Sequence, residues 1–71
     1  SPNPSKGIVN INKLNSKDVL VKILNVDGQL LQQINMHSNE LSVDMTGYPK
    51  GMYFIQMVSS EGIFTRRLIR I

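Results

Sequence analysis

Apolar residues recur at every second position along most of the chain, the repeat of strands with one buried face, and not at the three-to-four spacing of an amphipathic helix. Val9 and Ile11 begin the pattern, and a polar stretch over 12–17 interrupts it. Val19, Val21 and Ile23 then alternate with Leu20, Lys22 and Leu24, giving the clearest strand in the sequence. Asn25-Val26-Asp27-Gly28 follows at once. Asp-Gly between two apolar runs is a hairpin signal, because glycine takes positive φ without steric cost. Leu30, Gln32 and Ile34 continue on the partner strand.

After a polar connection through His37, Leu41, Val43 and Met45 alternate with Ser42 and Asp44 to predict another short strand. Thr46-Gly47-Tyr48-Pro49-Lys50-Gly51 can continue neither a helix nor a central strand. It leads into the most apolar segment, 52–58, with Tyr53, Ile55 and Met57 on one face and Met52, Phe54 and Val58 on the other. Both faces are expected to be at least partly covered, which marks a central strand. Ser59-Ser60-Glu61-Gly62 is a turn, and 63–71 is the last strand, running to the final residue. Six such strands, with turn signals between them and no helical stretch, predict an all-β chain folded as a small antiparallel sandwich or barrel, with the sandwich favoured.

With 71 residues the chain has room for one domain, 1–71, near the lower size limit for an unaided core. A core of this size supplies about 3–5 kcal/mol of net stability, so losing one large buried side chain could unfold it. Cysteine is absent, which excludes disulfides, cysteine-ligated zinc and thiol chemistry. No apolar run approaches the length of a transmembrane helix. The opening Ser1-Pro2-Asn3-Pro4-Ser5 carries neither an initiator methionine nor a signal-peptide core, so the segment is expected to come from a longer precursor.

Candidate chemistry is sparse. His37, the one histidine, falls in a loop and reads as an exposed side chain; a lone histidine makes no metal site. Asp18, Asp27, Glu40, Asp44 and Glu61 sit mostly at strand starts and turns, where carboxylates cap backbone N–H groups or stay hydrated. A calcium site around Asp27 lacks the spacing of an Asp-rich loop. These residues predict no enzyme and no cofactor. Nucleic-acid binding needs a basic face with interleaved aromatics, whereas Tyr53 and Phe64 occupy core-like positions, Tyr48 flanks a turn and Phe54 alone reads as an exposed stacker.

Net charge is +3, and Arg66, Arg67 and Arg70 concentrate it in the last six residues. Ile63, Thr65, Arg67, Ile69 and Ile71 share one parity and Phe64, Arg66, Leu68 and Arg70 the other, so neither face of the last strand is cleanly apolar. One explanation is an edge strand whose arginines discourage pairing between molecules, with a bulge resetting its register. A sharper one makes this basic strand a recognition element, since an edge offers backbone hydrogen-bonding groups and arginines pair with acidic partners.

Four segments in this order, the opening Pro2-Asn3-Pro4-Ser5-Lys6-Gly7, the run from Val21 to Leu30 with Asp27-Gly28, the run from Tyr48 to Ile55, and the basic end, make a recognisable whole. It resembles the type A C-terminal sorting domain of the type IX secretion system. The resemblance covers the full chain and implies an immunoglobulin-like sandwich of six to seven strands that carries a cargo protein, upstream in the same precursor, from the periplasm across the outer membrane. Its partners would be the outer-membrane secretion machinery and a cell-surface sortase-like protease that removes the domain, leaving the cargo at the cell surface or in the medium. The family's motif positions fall on Pro2, Asn3, Pro4, Gly7, Gly28, Gly51 and Tyr53, with Arg66, Arg67 and Arg70 in the basic terminal motif. Arginine stands there where the family more often has lysine, which keeps the charge and changes the donor geometry.

The expected mechanism is docking through the terminal edge strand, Arg66 to Ile71, with the arginines supplying charge and Ile69 and Ile71 apolar contact. No nucleic-acid partner is expected. An unpaired edge gives the isolated fragment a route to dimerise. The competing reading is an adhesion or carbohydrate-binding module retained on the mature secreted protein.

Overall fold

The computed structural model describes residues 7–12 and 18–71. Six strands follow in chain order: β1 (Ile8–Asn12), β2 (Val19–Leu24), β3 (Leu30–Met36), β4 (Glu40–Asp44), β5 (Gly51–Ser59) and β6 (Gly62–Arg70). β1 and β4 form a two-stranded antiparallel sheet, and the other four form a second antiparallel sheet in the order β3-β2-β5-β6. Every described strand thus pairs antiparallel, as short turns between alternating segments require.

The inner faces meet in one core. Val9, Ile11, Val43 and Met45 come from the small-sheet side, and Val19, Val21, Ile23, Met36, Tyr53, Ile55 and Leu68 from the large sheet. Val21 and Ile23 are fully excluded from solvent, as the period of two in β2 demands. The outer face of the large sheet is banded. Lys22, Gln33, Gln56 and Thr65 form a polar row across all four strands, flanked by half-buried Leu20 and Val58 on one side and Leu24, Phe54 and Ile69 on the other. This explains the mixed face of β5, which lies centrally between β2 and β6.

Four expectations, two for the last strand and two for aromatic residues, change. β6 runs to Arg70, leaving Ile71 outside it, and no bulge resets its register, which is continuous from Ser59 opposite Gly62 to Gly51 opposite Arg70. The irregularity lies instead between Ile23 and Leu24, beside the first hairpin. Phe64 is not core: it lies on the inner side, opposite Met57, yet is 63% exposed. Phe54, expected as the exposed aromatic, is half-buried.

Candidate functional site

The first hairpin is built by more than Asp27-Gly28. The Asn25 side-chain oxygen accepts from the backbone N–H of Asp27 and of Gln29, each at 2.9 Å, and its backbone carbonyl accepts from Gly28 N–H at 3.0 Å. Gly28 closes the turn at φ +83°, in the left-handed region. Asp27 therefore serves as a turn residue. Among the described residues no cluster of three or more metal-ligating side chains occurs. His37 pairs across the β2–β3 end with Asp18 at 3.2 Å, both strongly exposed.

Gly7 lies at a crowded corner. It is buried at φ +134°, its carbonyl accepts from Met45 N–H at 2.6 Å, and a Cβ placed on it would lie 2.6 Å from Thr46 Cγ2. Only glycine meets both conditions, the positive φ and the close approach. The opposite side of that corner is an Asp44 turn: Asp44 Oδ1 accepts from Thr46 N–H at 2.9 Å and from Thr46 Oγ1 at 2.6 Å. The Thr46 hydroxyl and N–H, with the Arg70 charge nearby, hold the Asp44 carboxyl below its ordinary range, against a small opposing effect of burial.

Arg70 completes the corner from the far end of the chain. Its Nε donates to Met45 O at 2.8 Å, and its terminal nitrogens donate to Thr46 O at 3.3 Å and Ile71 O at 3.1 Å. A guanidinium fork can satisfy several carbonyls left open by a turn, which a lysine cannot do in one geometry. Arg70 therefore braces the fold, and Arg66 and Arg67 lie exposed on β6.

Gly51 opens β5 opposite Arg70, and Tyr53, two residues on, points inward opposite Leu68. The buried Tyr53 ring sends its hydroxyl back to donate to Pro49 O, so the tyrosine closes the turn it follows. This is the physical role of a tyrosine corner in sandwich domains. Tyr48 stacks at a tilt on Tyr53, centroids 5.9 Å apart, and donates its hydroxyl to Gln32 Oε1 at 3.1 Å. The connection between the sheets is thereby fastened to β3.

The site residues expected from sequence divide by place. Pro2, Asn3 and Pro4 lie outside the described residues. Gly7 and Arg70 meet at one corner, Gly51 and Tyr53 border it, and Gly28 stands in a separate turn. Arg66, Arg67, Leu68 and Ile69 lie on β6, the edge strand of the large sheet, where Leu68 is core and Ile69 half-buried; Ile71, half exposed, follows the strand. Asp44 caps a backbone N–H, as its turn position suggested, whereas sequence reasoning missed the parts played by Asn25 and Thr46. The signal available was Asp-x-Thr and Asn-x-Asp spacing, where a side-chain oxygen can cap an N–H two residues on.

Two comparisons bear on this arrangement. The family model described as secretion system C-terminal sorting domain matches residues 1–71. No curated protein matches the chain.

Proposed function

The chain belongs to the family of secretion system C-terminal sorting domains and is a sorting signal for type IX secretion; from that premise we propose that it docks on the outer-membrane machinery through its β6 edge. The family is one of signals and not of catalysts, and its members direct a cargo upstream in the precursor through the envelope to the cell surface. The observation carrying the proposal is the position of β6: the basic terminal strand is an edge, paired with β5 alone among the described strands. Such an edge offers backbone groups to a partner strand, while Arg66 and Arg67 add charge and Ile69 and Ile71 apolar surface. In this reading Arg70 acts by keeping the strand end in place. A cell-surface sortase-like protease then removes the domain, and the cargo passes from the periplasm to the surface or the medium.

The test is an export assay with this segment fused behind a periplasm-targeted fluorescent protein, in a bacterium with the type IX system and in a strain lacking it. Surface or extracellular fluorescence that needs the machinery, and that falls when Arg66 and Arg67 become glutamate, is the expected result. Export that survives removal of residues 66–71 would refute docking through this edge.

A further inference from the structure

The large sheet ends in two edges that differ in charge. β6 carries Arg66, Arg67 and Arg70, and charged side chains are how natural sheets discourage pairing between molecules. β3, Leu30-Leu31-Gln32-Gln33-Ile34-Asn35-Met36, contains no charged residue, proline or glycine. We propose that β3 is a pairing edge for a second copy of this chain, joined antiparallel about a two-fold axis at Ile34, so that two four-stranded sheets become one of eight strands.

The edge is open. Among the described residues, Leu30 to Asn35 find their hydrogen-bond partners in β2 and, through the Gln32 side chain, in Tyr48. Backbone groups of this stretch that point away from β2 therefore face solvent and can complete a ladder with an incoming strand. Leu30, Leu31, Gln33 and Asn35 are exposed beside them. The side chains fix the register. Paired residues of an antiparallel ladder point to the same face, so the two-fold axis brings together residues of one parity. The pairing of β3 with β2 is regular from Gln32 to Met36 and irregular before it. An axis at Ile34 spans that regular length: it sets Ile34 against its own copy on the inner face, and on the outer face Gln33 against the copy's Asn35, twice over. Each side-chain amide offers donors and an acceptor, so the two outer pairs are complementary. Charge settles the occupant. A strand bearing charged residues finds no countercharge on β3, whereas a second β3 brings no charge to be satisfied. A single strand pair is a small interface, so the association is weak and grows with concentration. It uses the edge opposite β6 and does not depend on docking there.

The test is sedimentation velocity of the chain from micromolar to millimolar concentration, with backbone amide shifts of the isotope-labelled chain followed over the same range. A monomer–dimer equilibrium is expected, with concentration-dependent shifts over Leu30–Met36. Gln33→Lys with Asn35→Lys sets cation against cation at both outer pairs and should weaken the dimer about tenfold or more. Gln33→Glu with Asn35→Glu lowers the net charge and should weaken it as well, because the repulsion is local to the joined strands. Gln33→Glu with Asn35→Lys sets carboxylate against ammonium in the same register and should restore the dimer. Both positions are exposed, and spectral dispersion verifies that each variant is folded. A chain that stays monomeric at millimolar concentration, shifts that fall in β6 instead of β3, or equal dimerisation of the three double variants would each overturn the proposal.

Discussion

Replacing Gly7 by alanine should cost the domain most or all of its stability. At φ +134° an L side chain carries backbone strain of about 1–3 kcal/mol. The new Cβ would also lie 2.6 Å from Thr46 Cγ2, an overpacking cost of about 1–3 kcal/mol. Rotating Thr46 away is no cheap escape, because its hydroxyl is bonded to Asp44 at 2.6 Å and that bond is worth about 1 kcal/mol. The sum, about 2–6 kcal/mol, rivals the roughly 3–5 kcal/mol available to a core of this size. Urea unfolding followed by circular dichroism is the assay, with the Gly7→Ala midpoint expected to fall by roughly 2 M or more at a typical slope for a small domain. Thr46→Ser keeps the hydroxyl and removes the methyl, so in the double variant the contact part should return and the backbone part should not. A Gly7→Ala chain within about 0.5 kcal/mol of wild type would refute the whole argument. Absence of any recovery with Thr46→Ser would refute its steric half.

Three further outcomes follow from the same geometry. Arg70→Ala should destabilise by about 2 kcal/mol through loss of charged bonds to backbone carbonyls, and Arg70→Lys should rescue little. Tyr53→Phe leaves the Pro49 carbonyl without its phenol donor and should cost about 1 kcal/mol, read from the same denaturation curves. For Asp44 the folded carboxyl titrates below its ordinary 3.8, so its contribution is fully present above that value and fades as pH falls through the lower folded one. Wild type and Asp44→Asn should therefore differ at neutral pH and converge in acid; a constant difference across that range would contradict the assignment.

The strands were legible because their apolar period is two and their turns carry Gly and Pro, and β2 shows this most plainly with Val19, Val21 and Ile23 all buried. Phe64 marks where such reading stops. Its parity correctly places it on the inner side, but whether an inner side chain is covered depends on how far the opposite sheet reaches, which no local pattern encodes. The mixed faces of β6 suggested a bulge for a related reason. The outer face of the large sheet carries apolar bands of its own, so Ile63 and Ile69 lie outward with the register intact. At the corner, Gly7 and Arg70 stand out in the sequence, but what each touches does not. Arg70 shares the inward parity of Leu68, and an inward arginine near a strand end must find acceptors; the acceptors, Met45 O and Thr46 O, lie far away in sequence.

One residue ties the first strand's approach to the last strand's end. Met45 donates its N–H to Gly7 and accepts at its carbonyl from Arg70, so the second of the two bonds must wait until the chain has been made almost to its last described residue. A ribosome delivers residues in order, N-terminal parts first. The corner thus closes late: a chain interrupted before Arg70 lacks the brace between β6 and the turn after β4, however well its earlier strands have paired.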